Sequence, residues 1–269
     1  MNYNFTYGRK TPGLIFILCD LSQKMTRVKN ILETTVRKIL EDNINSCICG
    51  CQVADKIHIT LIGYGNKAPY VIKKGWASEW VDTLIGAKRN STPIIKECFE
   101  NELECERVWE FTQLLLDNQV ADIASNSYYT GLCSPCIINI TCKKPQDEQL
   151  CSQYINVIKN KCVAGYRHSS AAMSVEPIKE DFNAAVVNIL LLDKYNNHAD
   201  LFYPDKNLCS NSKAISFWKE NSSECNSERL RVRGFDVMER PMMFVATHQG
   251  VSLNLVEIGS YNNLHYGEL

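Results

Sequence analysis

The sequence has no apolar run approaching the roughly 20 residues that a membrane-spanning helix needs, so no helical membrane anchor is expected. It also has no excess of charge. Lys+Arg 29 against Asp+Glu 30 leaves a formal net charge of -1, whereas a broad nucleic-acid or anionic-lipid surface needs surplus cations. Neither nucleic acid nor membrane is therefore expected as a partner. The opening residues, Met1 to Lys10, lack the order of a charged region followed by an apolar one that marks a secretory signal, which makes the cytoplasm the expected location. Two catalytic signatures are missing as well. There is no Gly-x-Ser-x-Gly nucleophile elbow and no glycine-rich phosphate loop, and Gly63-Tyr64-Gly65 reads as a strand-ending turn. His58 sits inside an apolar strand pattern, and His168, His198, His248 and His265 have no ligand spacing.

Cysteine, by contrast, is abundant. Thirteen is an odd number in a chain without an export signal, so the thiols are expected to be reduced and to pack as small apolar side chains.

The chain is organised around Leu14-Ile-Phe-Ile-Leu-Cys-Asp20-Leu-Ser22. An apolar run of strand length ends on an acid, a serine follows two residues later, and an amphipathic pattern then begins. A buried parallel strand delivers polar groups to the carboxyl edge of an α/β sheet in this way. From Thr26 to Asp42, Val28, Ile31, Leu32, Val36, Ile39 and Leu40 recur at spacings of three and four, which predicts a helix with one buried face. Lys56 to Gly65 reads as a second strand, and Ala68 to Lys73 as an antiparallel edge strand returning beside it. A short helix is expected over 76–84. Asn90-Ser91-Thr92-Pro93 predicts a capped helix start, running to about Asp117 with a kink or a second helix near Glu104. Further strands are expected at 135–141 and 185–193, a short strand or extended segment at 241–246, and helices at 146–160, 215–220 and 251–258, with 161–182 less regular, a loop with a small extra element. Alternating strands and helices predict a doubly wound α/β fold: a mostly parallel sheet with one antiparallel edge strand and helices on both faces. Residues 1–11 read as a loosely docked polar leader and 12–269 as a single domain.

Several of these stretches resemble one family. Asp20-Leu-Ser22-Gln-Lys24-Met25 is similar to the Asp-x-Ser-x-Ser-Met opening of von Willebrand factor A domains. Ile59 to Gly65 resembles that family's second strand, Asn90-Ser-Thr92-Pro93 its threonine-bearing loop, and Pro135 to Thr141 the strand that continues into Asp-Gly. Asn221-Ser222-Ser223 and Gly259-Ser260 resemble segments of bacterial cytosolic members. The resemblance implies a Rossmann-like fold and a metal-ion-dependent adhesion site. It also implies a protein-binding function and, by analogy with bacterial systems, a partner such as a kinase, phosphatase or ATPase.

Carried over residue by residue, Asp20, Ser22 and Thr92 would supply oxygen ligands to magnesium. Two positions depart from the pattern: Lys24 stands in place of the second serine, and Cys142 in place of the aspartate. The exchange moves the formal site charge from about -2 to about 0 and adds a soft ligand that suits magnesium poorly. The expectation is a degenerate site without metal or other cofactor, in which the Lys24 ammonium is the counter-charge of Asp20. The protein then reads as a non-enzymatic scaffold that binds a protein partner through Asp20, Ser22, Lys24, Tyr64, Gly65, Thr92 and Cys142. The alternatives are a working magnesium-dependent adhesion site, and a zinc or redox protein built on Cys47, Cys49 and Cys51 together with Cys133 and Cys136. Trp76 and Trp80 could form a half-exposed patch near the edge strand.

Overall fold

The computed structural model describes residues 3–89, 92–96, 99, 101–167, 178–192, 201–202, 212–224 and 241–246. The expected closing helix at 251–258, Asn90, Ser91, the Gly259-Ser260 segment and the histidines at 168, 198, 248 and 265 lie outside these residues.

Strand β1, Gly13–Asp20, is buried at all eight positions. Its side chains alternate between two cores, as strand geometry dictates. Ile15, Ile17 and Cys19 face one cluster, and Leu14, Phe16 and Leu18 face the other. A strand covered on both faces belongs in the middle of a parallel sheet. β1 pairs in parallel with β4 (Ile57–Tyr64) on one side and with β6 (Cys136–Thr141) on the other. Outward from β6 come β9 (Ala185–Leu191) and β11 (Met243–Ala246), both parallel. The expected antiparallel edge strand is β5 (Tyr70–Trp76), paired with β4. At the opposite edge the two-residue β10 (Leu201–Phe202) adds an antiparallel pairing to β11.

Helices cover both faces. On one face lie α1 (Lys29–Asn45) and α2 (Ala77–Arg89). On the other lie α3 (Arg107–Ser125), α4 (Glu148–Lys159) and α5 (Lys213–Glu220). A 3-10 turn, Gln23–Val28, leads from β1 into α1. α1 buries Ile31, Leu32, Val36, Ile39 and Leu40, the stripe that its spacing predicts. The fold class is the expected one. No helix among the described residues is long and apolar enough to cross a membrane.

Three stretches depart from their sequence reading. No helix starts at Thr92: the described residues of 92–105 are non-helical, and α3 begins at Arg107. The amides that would open such a helix are held by another element, since Ile94 and Ile95 donate to Glu33 Oε1 and Oε2 of α1 at 2.8 and 3.1 Å. The irregular stretch contains a separate two-stranded ribbon, β7 (Cys162–Arg167) against β8 (Ile178–Asn183). The leader is not loosely docked from Tyr3 onward. Tyr3 and Phe5 are fully buried, and just before β6 Ser134 accepts the Asn4 amide on its hydroxyl and donates its own amide to the Asn4 carbonyl.

The cysteines at the amino end of the sheet do not assemble a four-thiolate site. Cys49 and Cys51 are exposed on a hairpin formed by β2 (Ile48–Cys49) and β3 (Gln52–Val53). Cys47, Cys133 and Cys136 are buried around Tyr7. Cys133 donates to the carbonyls of Thr6 and Thr11, and Cys47 to that of Asn43. Burial pushes the Cys133 thiol up to about 12, far from a thiolate at neutral pH. Among the described residues no group of three or more His, Cys, Asp or Glu side chains is placed to hold a metal ion.

Candidate functional site

β1 has β4 on one side and β6 on the other, so the strand order reverses at β1. Open α/β sheets place their sites in the crevice at the carboxyl ends beside such a reversal. Here the crevice holds Asp20 at the end of β1 and Thr141 at the end of β6, both buried. Both Asp20 oxygens are engaged. Ser22 donates its amide to Oδ1 at 2.9 Å, and Thr141 donates its hydroxyl to Oδ2 at 2.7 Å. The Ser22 bond is a local turn that an acid two residues ahead makes with its own chain. The Ser22 hydroxyl itself is buried and unpaired.

Gly65 closes the crevice from β4. It has φ 87°, and a Cβ there would stand 2.7 Å from Asp20 Oδ1. The turn therefore needs glycine for two reasons, a left-handed backbone and contact with a carboxylate.

The counter-charge of Asp20 is not Lys24. The Lys24 side chain is 66% exposed, and its ammonium lies 3.6 Å from Glu102. The cation beside Asp20 is Lys143, two residues beyond Thr141. Its side chain is 10% exposed and forms an ion pair with Glu102. Burial would lower the Lys143 pKa, but the charge of Asp20 and the hydrogen bond to Glu102 outweigh it and raise the value. The same pairing lowers Glu102 against its own partial burial. Lys24, Glu102 and Lys143 thus form a chain of charges that ends at Asp20.

Buried hydrogen bonds fix the surroundings. Tyr64 donates its hydroxyl to Asn139 at 2.8 Å, and Asn139 donates to Asn188 at 3.0 Å. Asn188 donates to the Ser222 hydroxyl and to the Trp218 carbonyl at 3.0 and 3.3 Å. Trp218 returns the chain to the site by donating its indole N–H to the Lys143 carbonyl at 2.7 Å. A network whose buried groups are satisfied in this way favours one arrangement. Burial, and after it the charge of Asp20, pushes the Tyr64 hydroxyl well above its ordinary pKa, so it stays a donor.

Of the expected site residues, Asp20, Ser22, Tyr64 and Gly65 come together, and Cys142 borders them. Burial, with Asp20 next, pushes the Cys142 thiol up to about 12. Thr92 lies elsewhere: it is exposed and lines a groove at the β5–α2 edge with Lys73, Asp82 and Thr83. Trp80 is buried, its indole donating to the Gly75 carbonyl at 3.2 Å, and Trp76 is half-buried against Tyr129. Sequence reasoning missed Lys143, Glu102, Asn139 and Asn188 as site residues. Lys143 had a legible signal, since it follows a strand end that also carries Thr141. Glu102 had none.

Magnesium requires hard oxygen ligands near an octahedron. The unpaired Ser22 hydroxyl would suit such an ion. Around it, each Asp20 oxygen accepts one hydrogen bond, Thr92 lines another surface, burial pushes the Cys142 thiol up to about 12, and the Lys143 ammonium supplies positive charge.

No protein-family model matches the chain, and no curated relative does. Solved structures similar to it include the SpRpn10 VWA domain, at 13% identity and TM-score 0.40, covering 67% of this chain and 75% of that one. The manganese-loaded Plasmodium vivax TRAP protein has 12% identity and TM-score 0.38, covering 67% of this chain and 57% of that one. Proximal thread matrix protein 1 from the mussel byssus has 10% identity and TM-score 0.42, with 68% of this chain and 38% of that one covered. The fold of this chain rests on its own strand order and register, which place Asp20, Thr141 and Lys143 at one reversal point.

Proposed function

We propose that the protein is a non-enzymatic, protein-binding module that presents the carboxyl-end face of its sheet and works without a divalent cation. The observation that carries this reading is the commitment of the charged groups at the reversal point to one another. Asp20 is held by Ser22, Thr141 and Lys143, and Glu102 by Lys143 and Lys24. The Ser22 hydroxyl is hydrogen-bonded to no base among the described residues, and the Cys142 thiol, raised to about 12, is not a nucleophile at neutral pH. What remains available is a preorganised surface with exposed Lys24 and Arg27 at its rim.

The test is photocrosslinking in the native cell, with a photoreactive phenylalanine analogue placed at Lys24 on this face or at Cys49 on the opposite end. The expected result is a discrete protein adduct from the Lys24 site alone, formed equally when irradiation is repeated in lysates already treated with EDTA. Adducts from the Cys49 site only would overturn the choice of face, and loss of the adduct in EDTA would overturn metal independence. Calorimetric titration with magnesium is expected to show no binding heat that Asp20→Ala removes.

A further inference from the structure

Beside the Asp20–Lys143 cluster opens a groove of ≈ 760 Å³. One wall is the 3-10 turn, which presents Lys24 and Arg27. The floor is apolar, with Val28, Cys142, Leu191 and Leu192. No acidic side chain is among the described residues that line it. Lys24 is partly compensated by Glu102 at 3.6 Å, while the Arg27 guanidinium forms no ion pair with a described residue. Behind the rim Asp20 and Glu102 share Lys143, so Glu102 offsets only part of the Lys24 charge and Arg27 is the cation left for a ligand.

We infer that this groove binds an acidic, extended peptide segment of a partner, one apolar side chain entering the floor and its carboxylates meeting Arg27 and Lys24. The inference rests on the protein-binding reading and names the chemistry of its partner. Three features favour this occupant. The described residues lining the groove carry cations and no acid, and complementary charge steers association and discriminates against wrong partners. Arginine's planar fork matches a carboxylate in two hydrogen bonds. The apolar floor rewards an anchoring side chain with the area it removes from water. The wall is also fixed before binding: Met25 and Val28 of the same turn are buried, and the Met25 amide donates to the Ser22 carbonyl at 2.9 Å. Little ordering is then left to be done at the moment of binding.

The experiment selects a random linear peptide display library on the intact protein and measures the enriched peptides by fluorescence anisotropy. Enriched sequences are expected to be acidic with an apolar residue, to bind less as salt is raised, and to lose about tenfold or more in affinity against Lys24→Glu/Arg27→Glu. Both side chains are exposed, and an unchanged circular dichroism spectrum and melting temperature will show that the variant folds. Enriched peptides that are neutral or basic, or that bind the charge-reversed variant as well as the wild type, overturn the groove assignment while leaving the protein-binding reading intact. Absence of any enrichment also overturns it, and the crosslinking from Lys24 decides the broader reading independently.

Discussion

Burial by itself disfavours the Lys143 ammonium, yet the group holds its proton more firmly than an ordinary lysine because Asp20 and Glu102 flank it. Lys143→Met removes the cation and strands a buried carboxylate, which is expected to cost about 3 kcal/mol in urea denaturation. Lys24→Met, at an exposed pair, is expected to cost less than about 1 kcal/mol. Asp20→Asn in the Lys143→Met background will recover part of the loss, and an undiminished loss would assign the cation to Glu102 alone. The pH window follows from the two directions. Lys143 is raised, so its contribution is complete below the unfolded value of about 10.4 and disappears as pH rises through the higher folded value. Glu102 is lowered, so its contribution is present above about 4.3 and disappears as pH falls through the folded value. Gly65→Ala tests the same site from the backbone. With φ 87° and a Cβ placed 2.7 Å from Asp20 Oδ1, it is expected to cost about 1–3 kcal/mol, read as a lowered melting temperature.

Among the elements, the segment around Thr92 shows how a sound local signal can lose. Ser-Thr-Pro is good helix-start chemistry, because a hydroxyl caps free amides and proline suits the first turn. Here Glu33, 61 and 62 residues before its two donor partners, takes those amides instead, and Ile94, Ile95 and Phe99 bury themselves against the α1 side of the sheet. Glu33→Ala is expected to accelerate hydrogen exchange at Ile94 and Ile95 while lowering global stability by about 1 kcal/mol. Unchanged exchange there would mean that burial alone holds the segment. The strands β1, β4, β5, β6, β9 and β11 and the helices α1, α2, α4 and α5 were legible because each carries its own pattern: α1 reads at three and four, and β1 reads as an unbroken apolar run. The ribbon β7–β8 was not, since Cys162-Val-Ala-Gly-Tyr-Arg is neither strongly alternating nor strongly apolar.

For the whole molecule, the residues before β1 are part of the core. Tyr3 and Phe5 stack with ring centroids 6.3 Å apart at the amino end of the sheet, joined by Asn4 to Ser134. Removing residues 1–5 is expected to cost at least about 3–5 kcal/mol, the loss for deleting one large buried aromatic side chain, measured by chemical denaturation. A truncated chain with wild-type stability would show that the segment is dispensable.

The sequence by itself determined the main strands, the mostly parallel character of the sheet and the position of Asp20 at the end of β1. These depend on hydrophobic period and chain order, both of which are local or nearly so. The choice of cation beside Asp20 was settled only by tertiary structure. Lys24 is closer in the chain, but the turn that follows β1 carries it outward to Glu102. Lys143 is 123 positions away from Asp20 in sequence, yet β6 lies next to β1, so the residues beyond its end share the same crevice. Charge acts through space in a medium of low dielectric constant, and only the packed sheet determines which charges are neighbours.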